Sequence, residues 1–428
     1  MRILIATDVF PPQCGGAGWS SYHLARALAQ RGHQVLAVVP REGQRGVSER
    51  TYGQIPIRDY GYPTTRLPIL RNVLRNEILW PRLGRYLAEL VRAGRYDLIH
   101  AQHSQTIPAA VLAGRMVDVP VVGTVRDYWP LCYRSTLLGA NDAPCGRCDL
   151  CAMVRCMGGG LRTPFVALAT PYMRANVRRK ARLLAQADAV VAVSHFVAGK
   201  LAAIVPAERR HVLPNLVDLE EIDAIVAQEP VTPLSGPFLL FVGKVEANKG
   251  AADLAGALRW AAEQVPPTDR LPLLIAGEGS RAAWLEAELA AVGWPAHFLH
   301  WADHDEVLRL LARTTLLLFP SRWDEPLSRV LLEACACDAP ILAMATGGTG
   351  EILADGISGA VVPPEEGAFM ERLVMLLSDE AGRRRLGAGA RRAAKERFAA
   401  PVVAGQVEIL YRSLTDTQTR VHTSGDTP

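Results

Sequence analysis

Lys244 and Lys249 flank the sequence Val245-Glu246-Ala247-Asn248, directly beyond an apolar run that reads as a strand. Ligands of open parallel sheets gather outside the carboxyl ends of the strands. Two ammonium groups there suit a diphosphate, whose leaving-group charge must be offset where no metal does so. Gly243 precedes the first lysine. Two carboxylates follow in Ser321-Arg322-Trp323-Asp324-Glu325-Pro326-Leu327-Ser328-Arg329-Val330-Leu331-Leu332-Glu333. Pro326 suits the first turn of a helix over 327–335. At 1.5 Å per residue, Glu325 and Glu333 would then stand roughly 12 Å apart. That is too far for a close acid/base pair, but it suits two ends of a long ligand.

Two glycine-rich turns accompany these groups: Cys14-Gly15-Gly16-Ala17-Gly18 and Ala345-Thr346-Gly347-Gly348-Thr349-Gly350-Glu351. Glycine lets the backbone approach a ligand closely, and a helix N-terminus offers N–H groups to an anion. A tight turn needing positive φ would use the same residues. The first turn lacks the Gly-x-Gly-x-x-Gly spacing, and no acidic residue closes the second strand. Nicotinamide chemistry is therefore disfavoured.

The elements that must position these residues alternate between strand and helix in two stretches, the pattern of two parallel-sheet α/β domains. Strands are expected at 2–8, 34–40, 98–102, 119–124, 189–194 and 210–213, and again at 238–242, 273–276, 296–300, 315–319 and 340–343. The predicted division is a first domain over 1–229, with a Cys-rich insert near 132–156, a linker at 230–237, and a second domain over 238–397. A final helix over 398–414 would pack back on the first domain, ahead of a polar, disordered tail at 415–428.

The chain has 428 residues and a net charge of +4, which hides an asymmetry. Through residue 230 there are 28 lysines and arginines against 18 acidic residues; beyond it, 19 against 25. A basic half suggests an anionic partner. Met1-Arg2 runs straight into Ile3-Leu4-Ile5, and no apolar stretch reaches the roughly 18 residues of a membrane span. A cytoplasmic address, with peripheral attachment to the inner face of a membrane, is the expectation.

Together these motifs closely resemble the family-4 retaining glycosyltransferases of GT-B architecture, over nearly the whole chain. The resemblance also rests on Arg31-Gly32-His33-Gln34-Val35 and Pro214-Asn215-Leu216-Val217-Asp218. It implies two Rossmann-like domains facing across a cleft and transfer of a hexose-type sugar from a UDP- or GDP-linked donor. It further implies that Lys244 and Lys249 contact the diphosphate, Glu325 the transferred sugar and Glu333 the ribose. Gly15, Gly16, Gly243, Gly277, Glu278, Pro326, Leu327 and Ser328 would complete the donor site. The acceptor would be a glycan, a lipid-linked molecule or a small molecule, in polysaccharide or glycolipid synthesis; no nucleic acid is implied. Catalysis would need no cofactor. Departures from the family pattern are Lys244 in place of arginine, Leu216 and Asp338 in place of glycine, and Arg126 in place of histidine. Arg126 cannot serve as a base near neutral pH but can stabilise anions. Arg126 and Asp127 are grouped with Glu325 as catalytic candidates. His103 is the candidate on the acceptor side, a satisfied core histidine being its alternative. A sugar-nucleotide epimerase and a non-catalytic nucleotide-sugar-binding protein remain open readings.

Two features lie outside that pattern. Cys145-x2-Cys148-x2-Cys151-x4-Cys156 can place four thiolates around a structural zinc ion. An iron–sulfur cluster is a weaker alternative, and free thiols or disulfides are the others. Separately, Arg71, Arg75, Arg82, Arg85 and Arg92 fall on one side of a helical wheel interrupted by Pro81. They form either a solvated face or a docking stripe for an anionic membrane surface.

Overall fold

The structure, a computed structural model, describes residues 1–140, 142–146, 148–158, 163–228, 234, 236–365 and 367–424, without the side chains of 68, 69 and 417–424. Its two compact units are Met1–Pro214 with Val403–Pro428, and Asn215–Val402.

The first unit is built on β1 (Arg2–Ala6), β2 (Gln34–Glu42), β3 (Val47–Tyr52), β4 (Ile55–Tyr62), β5 (Leu98–Ala101), β6 (Val121–Val125), β7 (Ala189–Ala192) and β8 (Arg210–Val212). They pair in the order β3-β4-β2-β1-β5-β6-β7-β8, all parallel except the β3–β4 hairpin. Ile3, Leu4 and Ile5 are wholly buried, because helices cover both faces of such a sheet and leave no polar side for alternation. The connecting helices are α1 (Gly16–Gln30), α2 (Pro68–Val73), α3 (Leu79–Gly94), α4 (Thr106–Val117), α5 (Leu150–Met157), α6 (Thr163–Leu184) and α7 (His195–Lys200). The chain winds outward from β1 to one side, then returns to β5 on the other. The switch point therefore lies at the carboxyl ends of β1 and β5.

The second unit repeats this logic with β9 (Leu239–Val242), β10 (Leu273–Ala276), β11 (Ala296–His300), β12 (Leu316–Phe319), β13 (Ile341–Met344) and β14 (Ala360–Val362). Their parallel order is β11-β10-β9-β12-β13-β14, with the switch point at β9 and β12. Around them lie α8 (Leu219–Val226), α9 (Ala251–Ala262), α10 (Ala282–Ala291), α11 (His304–Arg313), α12 (Arg329–Ala336), α13 (Thr349–Ile352), α14 (Ala368–Ser378) and α15 (Glu380–Ala393). Helix α16 (Ala400–Ser424) then carries the chain out of this unit and into the first.

Several expectations need correction. The hairpin β3–β4 and the edge strand β14 carry no strand prediction; β3 is mostly exposed and polar and lacks a buried apolar face. The units divide at Pro214 and Asn215, before the linker expected at 230–237, most of which lies outside the described residues. Residues after Pro214 belong to the second unit because its hydrogen bonds hold them. The Val217 N–H donates to Phe398 O at 2.8 Å, and Arg391 pairs with Asp223 at 2.6 Å. The last helix does not stop near 414 but runs to Ser424, since a polar stretch without proline or glycine does not itself end a helix. Residues 425–428 of the expected tail lie outside the described residues.

The Arg31-Gly32-His33 motif has a structural use. Arg31 Nε donates to Glu408 of α16 at 2.8 Å, and His33 Nε2 lies 3.7 Å from the same carboxylate. Deeper in this unit the Tyr411 hydroxyl of α16 bonds His100 Nδ1, while His100 Nε2 meets Thr124 Oγ1 at 2.6 Å. Burial holds His100 down to about 3, so the ring is neutral and both nitrogens need partners. Tyr411→Phe strands one of them and should cost about 1–3 kcal/mol. A lowered midpoint in urea titration is expected; an unchanged midpoint would show that the contact contributes nothing.

Candidate functional site

In the second unit the residues after β9 and β12 meet at the switch point. Lys249 Nζ lies 2.5 Å from Glu325 Oε1, and Ser321 Oγ donates to the same oxygen at 2.7 Å. The carboxylate is buried, with a side-chain exposure of 5%. The ammonium also lies 4.4 Å from the centroid of the Trp323 ring, whose π face attracts cations. The loops are locked through the main chain. The N–H groups of Arg322 and Trp323 donate to Asn248 O at 3.1 and 3.0 Å, and the Gly348 N–H donates to Glu325 O at 2.6 Å. Two glycines are required here. A Cβ on Gly250 would fall 1.8 Å from Pro320 O, and one on Gly347 would fall 2.3 Å from Glu325 O; both have positive φ. Their role is close approach of one loop to the next.

Lys244 is exposed on the same loop, near Glu246. Hydrogen bonds from Ser280 hold the Glu246 carboxyl below its usual range. Gly243 and Gly277 adopt positive φ at adjacent strand ends, and the exposed Glu278 accepts the Val245 N–H at its carbonyl, 3.0 Å away.

The helix after Glu325 begins later than its sequence suggests. Pro326, Leu327 and Ser328 are buried turn residues, and Ser328 caps α12 by accepting the Leu331 N–H. The spacing drawn from a helix over 327–335 therefore does not apply. Glu333 is buried within α12, 2.7 Å from Arg329 Nε and 2.7 Å from His304 Nε2. Two of the departures from the family pattern also find a physical account. Asp338 occupies the left-handed position just past α12 (φ 57°), where aspartate is among the better tolerated residues. Leu216 has no positive φ, so nothing there demands glycine.

In the first unit Gly15 is the N-cap of α1 and Gly16 its first residue, so the first-turn N–H groups stand at the end of the β1 loop. Gly15 has φ −83°, which excludes a positive-φ turn as its reason. Arg126 lies at the end of β6, and its Nη1 donates to Gln102 O at 3.3 Å. Asp127 accepts the Trp129 N–H at 2.8 Å; burial pushes its carboxyl up, against the opposing pull of His103 and Lys180. His103 Nε2 is buried without a hydrogen-bond partner among the described residues, so it is not a satisfied core histidine.

The structure adds residues that sequence reading does not single out. Asp8, just past β1, accepts the N–H groups of Gln105 and Thr106 at 3.0 Å each, at the start of α4. Lys180 of α6 faces Asp8, Asp127 and Arg75, and burial lowers its ammonium to about 8. In sequence Lys180 is hidden in the basic run Arg178-Arg179-Lys180, which gives no sign of which residue turns inward. Ser321 lies within the glutamate motif, but His304, 29 residues from Glu333, gives no local signal.

Of the four cysteines proposed for metal, Cys145, Cys148 and Cys156 line one cavity together with Cys132, and Cys151 on α5 does not; Cys148 and Cys151 are both exposed. The arginine stripe is broken by the π-type turn Leu74–Ile78, which separates α2 from α3. Arg71 is paired with Glu42 and Arg75 is half-buried, leaving Arg82, Arg85 and Arg92 exposed on α3.

Comparison with known proteins places both halves. Residues 14–221 match the profile of Glycosyltransferase Family 4, and residues 225–393 match that of Glycosyl transferases group 1. Glycogen synthase of Mycobacterium tuberculosis is 27% identical over 419 residues, 91% of this chain and 89% of that protein. D-inositol 3-phosphate glycosyltransferase of Xylanimonas cellulosilytica is 28% identical over 415 residues, 90% and 89% of the two chains. Among solved structures, Anabaena HepE in complex with UDP superposes with a TM-score of 0.67 at 18% identity, covering 97% of this chain and 100% of that one. Sucrose-phosphate synthase of Thermosynechococcus elongatus gives 0.67 at 19%, with the same coverage. They share the GT-B fold with this chain.

The lowered Lys180 yields a stability test. Its folded value, about 8, lies below the ordinary 10.5, so the unfolded chain binds the extra proton between them. Burial of the ammonium therefore destabilises the fold fully below pH 8, by about 3 kcal/mol, and not at all above 10.5. Lys180→Met should stabilise the chain at pH 7, and its advantage should shrink as pH rises from 8 to 10.5. A pH-independent difference in chemical denaturation would show that the ammonium is not buried as described.

Proposed function

The chain belongs to the family-4 glycosyltransferases, enzymes that use nucleotide-sugar donors, and on that premise we propose that it moves a hexose from UDP or GDP to an acceptor hydroxyl with retention of configuration. The observation that carries this reading is the Lys249–Glu325–Ser321 cluster at the switch point of the second unit. A diphosphate leaving group needs positive charge, and Lys249 and Lys244 supply it from one loop without a metal. Glu325, fixed by two partners, orients the hexose hydroxyls; Glu333, fixed by Arg329 and His304, receives the ribose. The bond from the anomeric carbon to the diphosphate oxygen breaks with its electron pair going to the phosphate. The acceptor oxygen bonds to the same face and passes its proton to the departing diphosphate. Retention then needs orientation and charge rather than a protein nucleophile. Arg126, Asp127 and His103 fall on the acceptor side. UDP and UDP-glucose in the Anabaena HepE structures favour a uridine donor.

Glu325→Gln and Lys249→Ala should each lower kcat/KM by about 10²–10³, the scale of losing one preorganised charge contact. Donor-induced thermal shifts would select the nucleotide sugar, and proton NMR of the product would read its anomeric configuration. Wild-type rates in both variants would sink the assignment. Donor conversion without acceptor would instead mark an epimerase, and nucleotide binding without turnover a binding protein.

A membrane acceptor surface is the second reading, carried by an exposed apolar patch. The Tyr172 OH of α6 donates to Asn72 O of α2 at 3.4 Å, and Arg179 of α6 pairs with Glu77 of the π-type turn after α2. Numbers rise together along both, so their first turns share one end. Leu67, Leu70, Phe165 and Leu168 are all exposed there, and Phe165 and Leu168 are more than 70% exposed. Arg66 adjoins them, and α6, which has no acidic residue, adds Arg174, Arg178 and Arg182 further along. This pairing of apolar anchors with cations suits anionic headgroups. Among the described residues no helix is long and apolar enough to cross a membrane. Sedimentation with vesicles containing phosphatidylglycerol should exceed that with phosphatidylcholine alone, and Phe165→Asp with Leu168→Asp should abolish the difference. Equal sedimentation of the double variant and the parent would overturn this reading.

A further inference from the structure

The segment between β6 and α6 has little apolar material to hold it. Over 132–158 only Leu138 and Met153 are buried hydrophobic residues among those described. Small lobes of this kind commonly depend on a metal or on disulfides. Its backbone is also constrained: Ser135, Leu137 and Asp142 all take positive φ, at 62°, 56° and 55°. Conformations of this kind cost about 1–3 kcal/mol each and persist only where the surroundings fix them. Among the described residues no cysteine forms a disulfide.

Cys132, Cys145, Cys148 and Cys156 line one cavity of about 150 Å³. Cys151 does not line it; Cys148 does, although both are exposed. The Cys156 Sγ lies 3.6 Å from Arg134 Nη1, and Arg155 lines the same cavity. The main chain fixes three approaches. Cys132 N–H donates to Tyr128 O at 2.8 Å, Cys145 N–H to Leu137 O at 2.8 Å, and Asp149 caps α5 through the Ala152 N–H at 2.8 Å.

We propose that Cys132, Cys145, Cys148 and Cys156 form a tetrathiolate site for a structural zinc ion, with Cys151 outside it. Cys132 comes from the loop leaving β6, Cys145 and Cys148 from the turn before α5, and Cys156 from the end of that helix. One ion would therefore staple three parts of the lobe. Among the described residues no three of these sulfurs lie within 4.8 Å of one another. Binding would draw them in to about 2.3 Å from the metal. The four thiols give up their protons, leaving two net negative charges on the zinc–thiolate group, which Arg134 and Arg155 are placed to offset. The lobe connects Asp127 to the helix bearing Lys180, so the staple would also fix the backbone on both sides of that pair.

The test is metal stoichiometry, which does not depend on sugar transfer. Purified full-length chain should contain one zinc by inductively coupled plasma mass spectrometry. After chelation it should take up cobalt with the intense visible bands of tetrahedral thiolate ligation. Cys132→Ser should lower zinc content at least tenfold, and Cys151→Ser should leave it at the parental level. Reversal of those two results would restore the ligand set read from spacing and overturn this one. Absence of both zinc and the cobalt spectrum in the parent chain would overturn the site outright, as would iron with acid-labile sulfide. Because Cys132→Ser could unfold the lobe, the parental cobalt spectrum and the Cys151→Ser stoichiometry decide the question without it.

Discussion

A carboxylate taken out of water must be met by a cation or by hydrogen-bond donors, and Glu325 is met by both. Lys249 and Ser321 share one of its oxygens, and the main chain around it accepts from Gly348. This pair draws the loop after β9 and the loop after β12 to one point. Gly250 and Gly347 matter because the loops approach within distances that no side chain allows. The same ammonium that offsets Glu325 is the charge proposed to meet a diphosphate, so one cation organises the loops and addresses the ligand.

The first unit solves a similar problem with a looser set. Asp8 spends its carboxylate on the start of α4, while Asp127 and Lys180 are partly buried and within electrostatic reach of each other. Desolvation raises the acid and lowers the base. Arg126 is anchored on Gln102 O and keeps a positive charge beside this group. An arginine there favours binding of anions over removal of a proton.

The surface extends the functional reading beyond the two strand-end sites. Apolar side chains at the shared end of α2 and α6 combine with a helix that carries only positive charge. The cysteine lobe lies in the same stretch of chain, between the strand that presents Asp127 and the helix that presents Lys180. Order in that lobe and order around Asp127 and Lys180 are therefore coupled by covalent continuity.

Much of this was legible in the sequence, because its signals are local. Buried runs such as Ile3-Leu4-Ile5 and Leu273-Leu274-Ile275 declare strands by themselves, and a motif such as Ser321 to Glu325 carries its partners within a few residues. The lysine and glutamate motifs pointed to the switch point because strand ends are where such chemistry collects. Interactions between distant residues left no local trace: His304 on Glu333, Tyr411 on His100, and the choice of Lys180 from a row of cations. Spacing alone groups Cys151 with Cys145, Cys148 and Cys156, whereas in the fold it is Cys132 that lines a cavity with those three. The sequence determined which elements form and which residue types stand at their ends. Only tertiary structure decided which of those side chains are buried together, because burial and pairing energies depend on neighbours that the chain supplies from far away.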